Sequence, residues 1–246
     1  MLPPATEKVW RFLKEHPALA GFVLIGGSGL ALRIGHRVSE DLDFAFPHLR
    51  LPPPRLDAMR RAAQAAGFDF QRDDHEAAVQ DFAVAGMELH DYQQDFLVDG
   101  IVKVSFFTPD QTLLKVLAEP PERKARVATL AELFKTKCLV SASRSKTRDW
   151  LDLYVLMRHH GFTIRQYQQA FLEAGVAAQC DTGLARLCSG VPQRDDEGYA
   201  HLLAAPPQLE EITAFFVAQR NLIEVETAAE AMHRRRAHDP QQQRDP

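Results

Sequence analysis

The chain has 246 residues, 46% of them hydrophobic and 25% charged, which is enough apolar material for a globular core and excludes general disorder. A formal net charge of −4 and a pI near 6.2 exclude a global attraction to nucleic acid or anionic membrane, so polyanion binding requires a local patch. Three cysteines without C-x-x-C spacing (Cys138, Cys180, Cys188), no apolar leader and no bilayer-length apolar run predict a cytoplasmic protein with no disulfide framework, zinc site or membrane partner.

In chain order, residues 5–16 read as an amphipathic helix capped by Thr6, with Val9, Phe12 and Leu13 on one face. GFVLIGG then reads as a short strand ended by Gly26 and Gly27, and SGLALRIG as a short helix stopped by Gly35. In HRVSEDLDFAFP, a strand alternation places Ser39, Asp41 and Asp43 on one face and Leu42, Phe44 and Phe46 on the other. A connector, LRLPPPRL, leads to the helix MRRAAQAAGF. Strands are predicted around 68–70, 88–96 and 101–107, with Asp99-Gly100 as a hairpin turn. From about residue 128 the pattern turns helical. ATLAELFKTKCLVSAS and TRDWLDLYVLMRHHG form one bent helix or two, a further helix covers 164–174, and a long one follows Pro206-Pro207. The expected organisation is an α+β core over 1–127, a helical region over 128–235 and a disordered tail over 236–246.

Two carboxylates separated by one residue on a strand lie side by side, roughly 6 to 7 Å apart at Cα. Their mutual repulsion is relieved by a cation, and hard oxygen ligands favour Mg²⁺. Such a pair suits phosphoryl or nucleotidyl transfer. Just upstream, the backbone N–H groups of Gly26, Gly27 and Ser28, with the Ser28 hydroxyl, are placed to cradle phosphate at a helix N-terminus. No G-K-[ST] follows and the third glycine of a dinucleotide fingerprint is missing, which sets those two motifs aside. Residues 123–148 carry eight Lys or Arg against the single acid Glu132. On a continuous helix, Lys137, Ser141, Arg144, Arg148 and Asp152 would form one stripe facing the cleft, a patch suited to a triphosphate or an RNA backbone. The competing reading is a solvated helix face with an ordinary Arg148–Asp152 pair. His36 and Arg37 are expected to orient the turn by bonding Asp41 or a backbone carbonyl.

LIGGSGLALRIGHRVSEDLDF, together with Lys137, Arg144, Arg148, Asp149 and Asp152 in KCLVSASRSKTRDWLDL, resembles the AbiEii/AbiGii-type nucleotidyltransferase-like toxins of the DNA polymerase β-like superfamily. GIVKVSFFTP resembles the middle strand of that family, and the likeness covers residues 1 to about 160. The resemblance implies an α+β nucleotidyltransferase fold, a mixed sheet with flanking helices and a C-terminal helical region, that moves NMP from an NTP to a hydroxyl. It implies Asp41 and Asp43 as ligands of Mg²⁺ or Mn²⁺, and Ser28, Ser39, Gly26 and Gly27 near the phosphates. It further implies Lys137, Arg144 and Arg148 on the triphosphate, with Asp152, and in some arrangements Asp149, positioning metal, lysine or acceptor. RNA or tRNA is the implied acceptor and an antitoxin protein the implied partner. In one departure, the strand IVKVSFF offers Lys103 and Ser105 where the superfamily has a third carboxylate. The residues also leave open a small-molecule acceptor and a silent nucleotide-binding or protein-interaction module.

Overall fold

The computed structural model describes residues 1–237. Its centre is a six-stranded mixed sheet in the order β3-β4-β5-β2-β1-β6, built from β1 (Val23–Ile25), β2 (Leu42–Ala45), β3 (Phe70–Arg72), β4 (Gln93–Val98), β5 (Val102–Phe107) and β6 (Arg126–Val127). β1 and β2 are antiparallel with Ile25 opposite Asp43, and β2 and β5 are parallel with Asp43 opposite Ser105. The predicted hairpin is present: Asp99 and Gly100 both adopt positive φ, 52° and 68°, the conformation that a primed turn between twisted strands requires.

Alternation along the strands feeds two cores. On one face, Leu24, Leu42, Phe44, Val104 and Phe106 pack with Val9, Trp10 and Leu13 of α1 (Pro4–Glu15) and with Leu56, Met59 and Ala63 of α3 (Pro53–Ala65). On the other face, Val23, Ile25 and Ala45 join Leu30 of α2 (Gly26–Ile34) and the buried sides of α6 (Leu130–Ser143), α7 (Thr147–His159), α8 (Ile164–Ala174), α9 (Gln179–Ser189) and α10 (Leu209–Ala237). Two more short helices, α4 (Glu76–Val84) and α5 (Gln111–Val116), complete the α-helices among the described residues.

Several expectations are corrected. Thr6 lies inside α1, not at its cap, and its hydroxyl donates to the Glu40 carbonyl at 3.0 Å. Residues 89–91, placed in a strand by their composition, form a 3₁₀ turn before β4. Arg144 is extended (φ −147°, ψ 162°), so the 130–159 stretch is two helices and the single stripe is broken. Ser141 turns away from the cleft and exchanges a 2.7 Å hydrogen bond with the Tyr167 hydroxyl. The tail expected over 236–246 lies, apart from the two residues that end α10, outside the described residues. All three cysteines are free.

Trp150 is fully buried in the helical core. Trp150→Ala is expected to lower stability by about 3–5 kcal/mol, the usual cost of emptying a large buried aromatic site, measured as a shift of the chemical denaturation midpoint.

Candidate active site

The site forms where β1, α2 and β2 meet. β1 ends at Ile25 and the chain turns at Gly26 with φ +71°, a conformation that L side chains avoid. A side chain has no room there either: a Cβ on Gly26 would stand 2.7 Å from Asp43 Oδ2, and one on Gly27 2.6 Å from Arg37 Nη2 and 2.7 Å from Ser39 Oγ. Glycine is therefore what lets the backbone approach the carboxylate strand.

Asp41 and Asp43 both face one cavity of about 460 Å³. Burial, followed by the neighbouring Asp41 charge, pushes Asp43 up to about 6 against the pull of Lys137, Arg144 and Arg148. Among the described residues neither carboxylate has an ion-pair partner. They form an unneutralised pair of hard oxygen donors, which suits a divalent cation. No group of three His, Cys, Asp or Glu converges among the described residues. Ser105 stands directly opposite Asp43, and Asp95 stands one strand further along the same row.

The cavity is also lined by Gly26, Gly27, Ser39, Lys103, Lys137, Arg144, Lys146 and Arg148. In all, six cationic side chains, counting Arg37, face five carboxylates, counting Glu40, Asp149 and Glu197. Charge is thus close to balanced across the site. Three others of the basic run pair elsewhere, Lys124 with Glu15, Arg126 with Glu132 and Lys135 with Glu173.

Ser28 and Asp152 fall outside the cavity lining; Asp152 does not face the cleft as the single stripe implied, but it does meet Lys137, one of the contacts the resemblance implies. The Ser28 hydroxyl is buried and donates to the Asp41 carbonyl, so it fixes the carboxylate strand and does not aim at phosphate. Asp152 is fully buried behind the wall. Arg37 grips it with two prongs, Nε to Oδ1 at 2.7 Å and Nη2 to Oδ2 at 2.9 Å, while His36 Nε2 lies 2.6 Å from Oδ1 and Lys137 Nζ 2.6 Å from Oδ2. Lys137 also meets Asp149 at 2.6 Å, and Asp149 accepts from Arg144 at 2.7 Å. Burial opposes ionisation of Asp152, but Lys137, Arg37 and His36 outweigh it and hold the carboxyl well below its ordinary range. Arg37 thus bonds Asp152 and the Val38 carbonyl, not Asp41, and Asp152 acts as a positioning residue for Arg37 and Lys137. Sequence reasoning counted Lys146 within the basic run and missed Glu197 and His201 on the cavity wall. The acidic Asp195-Asp196-Glu197 run was the one available signal for Glu197.

The chain matches, over residues 11–245, the family described as "Nucleotidyl transferase AbiEii toxin, Type IV TA system". It belongs to that family. Its members are nucleotidyltransferases, and the mixed α+β architecture agrees. The chain is 28% identical over 148 residues to an uncharacterized protein of Aquifex aeolicus, a match covering 60% of this chain and 63% of that relative's length. Among solved structures it is similar in fold to JHP933 from Helicobacter pylori (18% identity, 97% and 100% of the two chains, TM-score 0.51). It is also similar to MenT4, a nucleotidyltransferase toxin from Mycobacterium tuberculosis H37Rv (14% identity, 87% and 83% covered, TM-score 0.53).

Asp152→Asn leaves the clustered cations short of a buried partner and is expected to cost about 3–5 kcal/mol, read by urea denaturation. The Asp152 pKa is depressed on folding, so its contribution is present above the unfolded carboxyl pKa and is lost as pH falls toward the folded value. The difference between parent and variant should therefore shrink as denaturation is repeated at progressively more acidic pH.

Proposed function

We propose that this protein transfers a nucleoside monophosphate from an NTP to a hydroxyl of RNA, with tRNA the favoured acceptor, in a reaction dependent on Mg²⁺ or Mn²⁺. It would act in the cytoplasm as the toxin of a toxin–antitoxin pair, opposed by a cognate antitoxin protein. The observation that carries the proposal is the Asp41/Asp43 pair, without an ion-pair partner among the described residues, set against the Gly26–Gly27 backbone across a cavity from Lys137, Arg144 and Arg148. Asp41 and Asp43 would hold the divalent ion, which supplies neutralisation of triphosphate charge and alignment of the attacking and leaving oxygens.

The remaining work falls to the chain. Gly26 and Gly27 line the cavity where backbone N–H groups at the start of α2 would meet phosphate oxygens, and Ser39 offers a hydroxyl at the same rim. Lys137, held from behind by two buried carboxylates, presents a fixed charge, while Arg144 and Arg148 draw the triphosphate toward the helical wall. Near-balanced charge in the cavity means that a triphosphate alone gains little there until Asp41 and Asp43 are neutralised, which supports metal dependence. Lys103 offers a contact for an acceptor backbone. In this division of labour, the 1–127 region supplies metal ligands and the phosphate turn, and the 128–235 region supplies the triphosphate cations Lys137, Arg144 and Arg148.

The test is incorporation of label from each α-³²P NTP into total RNA. Asp41→Asn and Asp43→Asn should each lose about 10²-fold or more of the parent's labelling, and chelation by EDTA should abolish it. NTP binding by the parent without any labelled RNA would overturn the transfer reading.

Asp43→Asn removes a carboxylate raised by burial and repulsion, and is expected to match or slightly exceed the parent in stability without metal. Thermal unfolding of the metal-free protein checks this, and a marked loss of stability would show that Asp43 is a structural anchor.

A further inference from the structure

Beyond the cavity floor, residues 191–203 form a strap across the start of α7. Its anchors are firm. Gln193 N donates to the Ser145 carbonyl at 2.9 Å and Ser145 N to Gln193 Oε1 at 3.0 Å. Asp196 accepts from the Thr147 N–H at 3.0 Å and from its hydroxyl at 2.6 Å, which satisfies the N-terminus of a helix whose own cap residue, Lys146, makes no side-chain cap bond. Further on, the Leu202 carbonyl accepts from Val38 N at 3.0 Å, tying the strap to the loop that leads to Asp41.

Glu197, next to the Asp196 anchor, behaves differently. It lines the cavity, its side chain is 66% exposed, and it meets Arg148 Nη1 at 3.5 Å and Lys146 Nζ at 3.8 Å. Both pairs are longer than the 2.6 Å contacts that bury Lys137. Loose, solvated pairs of this kind contribute little to stability. A fixed strap is therefore presenting a weakly held carboxylate to two cations of the cavity wall.

We propose that Glu197 is an internal stand-in for substrate phosphate: it occupies Lys146 and Arg148 while the cavity is free of substrate and yields them to a triphosphate. The proposal rests on the nucleotidyltransferase reading of this cavity. Because phosphate oxygens make stronger charge-assisted bonds to a guanidinium than a distant carboxylate does, an incoming triphosphate displaces Glu197. The carboxylate then competes again as pyrophosphate leaves. Glu197 thus sets how much anionic charge a ligand must carry to claim the helical wall.

Calorimetric titration of the full chain with Mg²⁺ and inorganic tripolyphosphate at fixed ionic strength tests this without knowledge of the preferred base. Glu197→Gln should bind roughly three- to tenfold more tightly than the parent. Because Asp195 also reaches Lys146 Nζ, at 3.9 Å, the control is Glu122→Gln, which removes the same charge from an exposed position outside the cavity lining and should stay within about twofold. Unchanged or weaker binding by Glu197→Gln, alongside clear binding by the parent, overturns the inference while leaving the proposed function intact. Equal tightening in both variants overturns it as well, because a general charge effect would then account for the gain. A parent that binds no tripolyphosphate overturns the reading of the cavity and this inference with it. Thermal melting of both variants verifies folding, which substitution at such exposed positions should preserve.

Discussion

The site depends on one buried carboxylate being fully satisfied. Asp152 carries negative charge where water cannot reach it, a state that is tolerable only when paired and hydrogen-bonded on every side. Arg37 arrives from the loop before β2, Lys137 from α6 and His36 from the turn after α2. The loop between α2 and β2 and the helix α6, far apart in sequence, are thereby pinned to α7 at one point. Asp149 repeats the arrangement one turn earlier with Lys137 and Arg144, so the cationic wall of the cavity is braced from behind by α7.

The sheet supplies the opposing wall. Pairing of Ile25 with Asp43 sets the carboxylate beside the residue that follows β1, and Gly26 turns there without a side chain. The same register puts Ser105 of β5 in line with Asp43, which keeps a third acid out of the row at that strand. Leu42 and Phe44, on the reverse face, are sealed into the other core. A one-residue slip of β2 would bury the acids and expose the apolar pair, so the hydrophobic pattern protects the position of the chemistry.

Local features were legible in the sequence because local rules generate them. The strand, glycine turn and short helix around Gly26, the alternation through Asp41 and Asp43, and the Asp99-Gly100 turn each follow from the conformations available to a few neighbouring residues. The break at Arg144 was only half visible, since Ser141 to Ser145 are weak helix formers but do not specify an extended residue. α4, α5 and α9 were missed. α4 buries none of its residues, leaving no apolar stripe to read, and the packed stripe of α9 is carried partly by Gly183 and Cys180, residues that rank low as helix formers. The His36 and Arg37 contacts of Asp152 were beyond reach for another reason: these partners are 116 and 115 residues distant, and pairing at that separation is decided by tertiary packing alone. That is why Asp152 looked like a residue of the cleft and proved to stand behind it.

The two tryptophans are divided between the two faces of the sheet, Trp10 in one core and Trp150 in the other. Trp150 is adjacent to Asp149 and two positions from Asp152, while Trp10 stacks near Phe44 with ring centroids 6.1 Å apart. Each half of the molecule therefore carries its own optical probe. Fluorescence from single-tryptophan forms would distinguish loosening of the helical layer from loosening of the α1 side, separating damage to the cationic wall from damage to the carboxylate strand.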